Sequence, residues 1–230
     1  MADASPFLGI LSLDTRFERV VGDAGNPESY AHPARLRVVR GADAPLLVRD
    51  ALAPELAARF VRAARDLEAE GAGALVSTCG FLVSAQAEVA AAVRVPVMLS
   101  ALSLVPWLRA VRPGRIGVLT ASAAALGPGA LAAAGADARE VAVGGMEGVE
   151  AFARTFLAPK AEQPPRLDRA AMERAVAARA AALVREAPDV ASILLECGNL
   201  PPYRDAIRAA AGRPVFDLVA AAPLLMGGAL

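Results

Sequence analysis

Cysteine is scarce in this 230-residue chain, which has only Cys79 and Cys197. Two thiols exclude a disulfide-rich scaffold and a four-thiolate zinc site. Histidine occurs once, as His32, in a polar stretch with no cysteine or second histidine near it in sequence, so no metal is expected. Lysine also occurs once, as Lys160, and aromatic residues make up 4%. Neither sign of charge is in excess: 24 Lys and Arg balance 24 Asp and Glu. Nucleic acid and anionic membranes call for a basic field, so neither is expected as a partner. Glycine-rich phosphate fingerprints are missing too. Gly127-Pro128-Gly129 lacks the lysine of a P-loop, and Gly9 and Gly117 lack the further glycines of a dinucleotide site, so no nucleotide cofactor is expected.

A mean hydropathy of +0.43 calls for a check on membrane segments. The longest uncharged run, Ile116 to Ala136, is broken by Gly127-Pro128-Gly129 and reads as strand, turn and alanine-rich helix. The apolar stretch Phe7–Leu13 is preceded by Asp3 and followed by Asp14, Arg16 and Glu18, which is not the pattern of a signal peptide. These readings predict a cytoplasmic protein with reduced thiols.

Hydrophobic residues make up 56% of the chain, in short apolar runs alternating with alanine-rich helical stretches. That alternation predicts an α/β fold with mainly parallel sheets flanked by helices. Strands are expected at 7–13, 36–40, 74–78, 95–99, 115–120, 140–143, 191–196 and 214–217. Helices are expected at 54–70, 84–93, 123–134, 147–156, 169–186, 203–211 and 218–225, with Asp168 capping the longest. Residues 14–33 form an unusually long polar loop, the kind that often carries function.

Two matches relate the halves. Gly9-Ile10-Leu11-Ser12 resembles Gly117-Val118-Leu119-Thr120, 108 positions later. The segment from Ala74 to Leu82 resembles Ser192 to Leu200, 118 positions later, and both contain Cys-Gly-x-Leu. The order and near-equal offsets predict two pseudo-symmetric lobes with an active site between them. Lobe 1 is expected to comprise 1–105 plus 206–230, carrying Cys79, and lobe 2 to comprise 106–205, carrying Cys197.

Each cysteine ends a strand and precedes a helix start, the place where parallel sheets bind ligands. Free backbone N–H groups and the helix dipole there lower a thiol pKa and hold an anion. Two thiols facing one another suit proton transfer at a stereocentre, one removing a proton and the other delivering it to the opposite face.

These residues resemble the aspartate/glutamate/hydantoin racemase superfamily over most of the chain. The resemblance rests on Gly9–Thr15, Ser77–Leu82, Ile116–Ser122 and Leu194–Tyr203. It implies a cofactor-independent racemase acting on a small carboxylate or hydantoin, with Cys79 and Cys197 as the acid/base pair. Asp14, Thr78, Gly80, Thr120, Ser122, Gly198 and Asn199 would bind substrate, and a homodimer or larger homo-oligomer would be usual. Amino-acid racemases of the group carry Cys-Asn-Thr and Cys-Thr-His or Cys-Thr-Glu at the two thiols. This chain has Cys79-Gly80-Phe81 and Cys197-Gly198-Asn199, so the polar residues that hold an α-amino acid are missing beside both thiols, while Asp14–Phe17, Gly22–Pro27 and Leu195–Tyr203 resemble an uncharacterised branch of the superfamily. The alternatives are a maleate-isomerase-like enzyme with a cysteine nucleophile and a small-molecule binding protein on the same scaffold. Glu196, next to Cys197, reads as a general base or as half of a structural ion pair with an arginine, and the ion pair is the favoured reading.

Overall fold

A computed structural model describes residues 6–227. They form two four-stranded sheets, both parallel throughout. In the first, β1 (Phe7–Ser12), β2 (Ala34–Val38), β3 (Ala72–Ser77) and β4 (Val97–Met98) lie in the order β2-β1-β3-β4. In the second, β5 (Arg115–Thr120), β6 (Val141–Gly145), β7 (Val190–Leu195) and β8 (Val215–Asp217) repeat the order as β6-β5-β7-β8.

The repeat extends to register. Leu8 pairs with Ala74, and Ile116 pairs with Ser192. Both offsets seen in the sequence, 108 and 118, are therefore kept across the central strand pairs. Each pair also carries a register slip at the same place, Phe7/Leu8 in one sheet and Arg115/Ile116 in the other. The expected α/β architecture of two similar lobes is the one observed.

The α-helices are α1 (Ala44–Leu47), α2 (Pro54–Ala69), α3 (Gln86–Ala92), α4 (Val105–Val111), α5 (Pro128–Ala133), α6 (Glu150–Phe152), α7 (Arg169–Glu186), α8 (Arg204–Ala211) and α9 (Leu218–Met226). Pro54 starts α2, where a missing N–H costs nothing. Leu56, Phe60, Ala64 and Leu67 recur at helical spacing and bury the face of α2 that packs on β1 and β3. A fully buried Leu or Phe contributes about 1.5–3 kcal/mol through burial, so this one stripe anchors the first lobe. In α7 the equivalent face is Met172, Val176, Ala180 and Leu183, and Asp168 caps the helix by accepting the Ala171 N–H at 3.0 Å.

Some boundaries differ from expectation. The 84–93 helix begins as a 3-10 turn, Gly80–Ala85, and the 147–156 helix ends in a π-helical turn, Ala153–Leu157. The expected 123–134 helix shrinks to α5 because Pro128 sets its start. The lobe boundary also moves. Strand β8 pairs with β7, and α8 packs on α7, so residues 206–217 sit with the second sheet. Helix α9 returns to pack on β3 and β4, just as α4 crosses from the first lobe to pack on β5. These crossed helices fix the two sheets against one another.

The long loop after β1 is the other bridge. It leaves the first lobe and is tied to the second by hydrogen bonds to the backbone on one side or the other. Arg16 N–H donates to Gln163 Oε1 (2.9 Å), Glu18 N–H to the Pro165 carbonyl (3.2 Å), Leu167 N–H to Glu18 Oε1 (2.8 Å) and Ala24 N–H to the Gly198 carbonyl (2.9 Å). Among the described residues, no helix is long and apolar enough to cross a membrane.

Candidate active site

Strands β3 and β7 run side by side with β1 and β5 at the centre of their sheets, and the residues just past their ends meet. Cys79 and Cys197 line one enclosed cavity together with Thr78, Gly80, Glu196 and Asn199. Its remaining wall comes from the loop after β1 (Leu13, Thr15, Phe17 and Arg19) and from Ala44, Val48, Phe81, Ala121 and Phe156. The free space is about 30 Å³, against the roughly 300–1,000 Å³ of drug-sized ligand pockets. The cavity is therefore small in this structure.

Two glycines let the lobes approach this closely. A Cβ on Gly80 would collide with the side-chain and main-chain oxygens of Glu196. A Cβ on Gly198 would lie 2.6 Å from the Thr78 carbonyl oxygen. The Cys-Gly repeat is thus a steric requirement: each glycine lets its neighbouring cysteine meet the opposite lobe.

Both thiols are buried and unbridged. The pKa of Cys79 is pushed up to about 12 by burial first and by the Glu196 carboxylate second, and the N–H groups of Phe81 and Leu82 offset only part of this. Cys197 is pushed up by the same two causes, with the Asn199 N–H opposing them. The sequence-based expectation of thiols made acidic by helix starts is corrected. The amides are in place, but burial beside a carboxylate outweighs them. Cys197 also donates to Asn199 Oδ1 at 3.6 Å.

Glu196 is the feature that sequence reasoning undervalues. It is 2% exposed, and its first partner is Thr120, whose hydroxyl donates to Oε2 at 2.8 Å. Its Oε1 has no hydrogen-bond partner among the described residues. The expected ion pair with an arginine is not formed. Burial raises its pKa to about 7 despite the Thr120 bond and a weaker one from the Ala121 N–H. One signal does exist in the sequence: Glu196 is a charged residue directly following an otherwise apolar strand.

Arg19 is the cavity's cation, and its side chain is only 12% exposed. Its Nη1 donates to Asp23 Oδ1 at 2.7 Å, and its Nη2 to Thr15 Oγ1 at 3.2 Å. The Phe17 ring lies 5.0 Å from its guanidinium carbon. Asp23, in turn, accepts the Gly25 N–H and, through Oδ2, the Asn199 Nδ2–H at 2.7 Å. A continuous chain of contacts thus runs from Arg19 through Asp23 and Asn199 to Cys197. Arg19 does not stand out in the sequence and Asp23 does so only within the segment Gly22–Pro27, although both fall in the long polar loop expected to carry function.

Of the residues expected to bind substrate, Thr78, Gly80 and Asn199 line the cavity. Asp14 does not: it accepts the Gly41 N–H at 2.8 Å and pairs with Lys160 near the surface, and these contacts hold its carboxyl below the usual range. Thr120 spends its hydroxyl on Glu196. Ser122 Oγ accepts the Ala125 N–H at 3.2 Å and contacts Glu147. Gly198 serves the close approach to Thr78. Strand-end hydroxyls and loop carboxylates are readily consumed by neighbouring groups, and this is why these positions read as ligand residues in sequence alone.

Comparison with known proteins places this geometry. No family model matches the chain. Unliganded arylmalonate decarboxylase superposes with a TM-score of 0.62 at 19% identity, covering 98% of this chain and 94% of that one. Glutamate racemase from Bacillus anthracis gives 0.60 at 14% identity, covering 96% and 82%. The fold is therefore that of the racemase superfamily. In sequence, the chain is 33% identical over 232 residues to dimethylsulfoniopropionate lyase of Durusdinium sp. clade D, covering 96% of this chain and 74% of that protein. It is 30% identical over 224 residues to dimethylsulfoniopropionate lyase 7 of Emiliania huxleyi, covering 93% and 64%. Both relatives extend beyond the matched region. These relatives overturn the expectation of a racemase, along with its isomerase and binding-protein alternatives, because they are lyases. The chain belongs to the dimethylsulfoniopropionate lyase family, an enzyme family built on the two-lobed fold shared with aspartate, glutamate and allantoin racemases.

Proposed function

We propose that this chain is a lyase that eliminates dimethyl sulfide from dimethylsulfoniopropionate. The observation that carries the reading is the meeting of two thiols in one small cavity, in a chain 33% identical to a lyase of that name. The substrate is a zwitterion with a carboxylate at one end and a sulfonium at the other. A base removes a proton from the carbon next to the carboxylate. The electron pair of that C–H bond forms the double bond, and the C–S bond breaks with its pair leaving on sulfur. The products are dimethyl sulfide, acrylate and one proton.

The cavity offers a partner for each end. In this reading Arg19, which lines the cavity, attracts the carboxylate, and its charge also favours the negative charge that builds up as the proton leaves. Phe17 and Phe156 supply ring surface, and Glu196 supplies negative charge, for the sulfonium. One of the two thiols, Cys79 or Cys197, is the base. Burial holds both protonated at rest, and the sulfonium charge favours ionisation when it enters. The base is thus formed in the presence of its substrate.

The reading predicts an effect at Arg19. Losing a charge-assisted hydrogen bond to the substrate costs about 1.5–3 kcal/mol, or roughly 10- to 150-fold in kcat/KM. Steady-state kinetics of Arg19→Gln with dimethylsulfoniopropionate should show this mainly as a raised KM. An unchanged KM would remove Arg19 from carboxylate binding. Vinyl proton signals of acrylate, appearing by NMR when the wild-type protein meets this substrate, test the reaction itself. Their absence would sink the proposal.

A further inference from the structure

The elimination releases one proton per turnover, and that proton first sits on a thiol. A buried thiol that has gained a proton must lose it again, once the next substrate has entered, before it can act as base, and within the cavity it needs an acceptor. Glu196 is the acceptor in reach. It lines the cavity with both thiols, its Oε1 rests against Gly80 beside Cys79, and its own backbone continues directly into Cys197. Oε1 is buried and unpartnered, while Oε2 is held by Thr120. A buried carboxylate oxygen left without a donor is costly unless it has a task.

We infer that Glu196 is the proton relay of this site: its free Oε1 takes the proton from the thiol that serves as base and passes it to water. The step balances. The S–H bond breaks with its electron pair remaining on sulfur, and the proton bonds to Oε1. It then leaves to water in the cavity, so the carboxylate is restored. No oxidant or second substrate is needed. The inference rests on the lyase reading, and gives Glu196 a role through the thiol and not on the substrate.

The charged and titratable groups around Glu196 are the two thiols, Arg19 in the same cavity and Asp23 behind Asn199. The relay must be ionised to accept a proton. Burial brings its pKa to about 7, so kcat/KM of the wild-type protein should rise with pH through that region and then level off.

The test compares pH profiles of dimethyl sulfide release for the wild-type protein, Glu196→Gln, Glu196→Asp and Thr120→Val, with folding checked by circular dichroism. Glu196→Gln should lose about 10²-fold or more in kcat at pH 7, in the range of general acid–base effects. Its rate should then climb with pH without levelling near 7, as hydroxide replaces the relay. Glu196→Asp should recover part of the loss. Thr120→Val removes the larger of the two hydrogen bonds that favour the ionised form, the other being from the Ala121 N–H, so its acid limb should move to higher pH. A Glu196→Gln protein that keeps the wild-type rate and acid limb overturns the relay. So does a folded variant that stays inactive at every pH, or an unmoved limb in Thr120→Val. If the wild-type protein releases no dimethyl sulfide at all, the lyase reading fails first. If it does and only these shifts are absent, the relay alone fails.

Discussion

Replacing either cysteine with alanine should cut dimethyl sulfide release sharply, by about 10²- to 10⁴-fold for the thiol that serves as base, the span typical of a lost acid–base group. The expected loss is in kcat, because alanine removes no group that grips the ends of the substrate. It should come without loss of fold. Both side chains are small and lie at a cavity wall, so truncation removes a single buried atom from each. The two variants need not be equal. Cys197 is engaged with Asn199, and Cys79 faces the amides of Phe81 and Leu82. Rates measured separately for Cys79→Ala and Cys197→Ala identify the base as the one with the larger loss. Near wild-type rates in both would remove the thiols from the chemistry.

The second large effect is expected at Asp23. This carboxylate is buried and accepts from Arg19, from the Gly25 N–H and from Asn199. Asp23→Ala leaves a nearly buried guanidinium and two further donors without their acceptor. Breaking a buried pair on one side costs about 3–5 kcal/mol. For a chain of this size that is a fall of roughly 6–20 °C in Tm, at about 2–4 °C per kcal/mol. Asp23→Asn keeps the shape and one acceptor but loses the charge, so it should lie between. Thermal unfolding followed by circular dichroism gives the order. Activity should fall in parallel, because the loop that carries Arg19 and the amide beside Cys197 are both held by this side chain. A Tm within a degree or two of wild type would show that the Arg19–Asp23–Asn199 network does not hold the loop.

Much of this molecule is legible in its sequence. The paired offsets of 108 and 118 survive as strand register, because a duplicated βαβ frame must keep its glycines and apolar residues in step to pack the same way twice. The two cysteines are legible for the same reason: a Cys-Gly at each strand end puts both thiols where the sheets open. The features that stay hidden depend on contacts far apart in sequence. Glu196 looks like an ion-pair residue, since nothing local says that its nearest donor is Thr120 or that Oε1 has none. Thiol acidity is overestimated because a helix start is visible in sequence and burial beside a carboxylate is not. Residues 206–217 look like part of the first lobe, and only the strand pairing reveals that β8 completes the second sheet. Asp14 looks like a ligand group, but it is tied to Lys160, 146 positions away.

The reaction type is the least legible feature, and this too has a physical root. A racemase and an eliminating lyase begin alike, with a base taking a proton next to a carboxylate. They part at the second step: a proton arrives from the opposite face, or a group departs from the neighbouring carbon. In the proposed reaction the thiol pair serves the shared step, and it says nothing of the second. The surrounding residues decide it. Here they are a cation, aromatic rings and a buried carboxylate around a small cavity.

The central claim is that this cavity eliminates a neutral sulfide from a sulfonium carboxylate. It is tested most directly by mixing the purified protein with dimethylsulfoniopropionate in weak buffer and measuring dimethyl sulfide, acrylate and released protons together. The account predicts the three in equal amounts, with none formed in the double variant Cys79→Ala/Cys197→Ala. Failure of the wild-type protein to produce dimethyl sulfide, or undiminished production by the double variant, would contradict it.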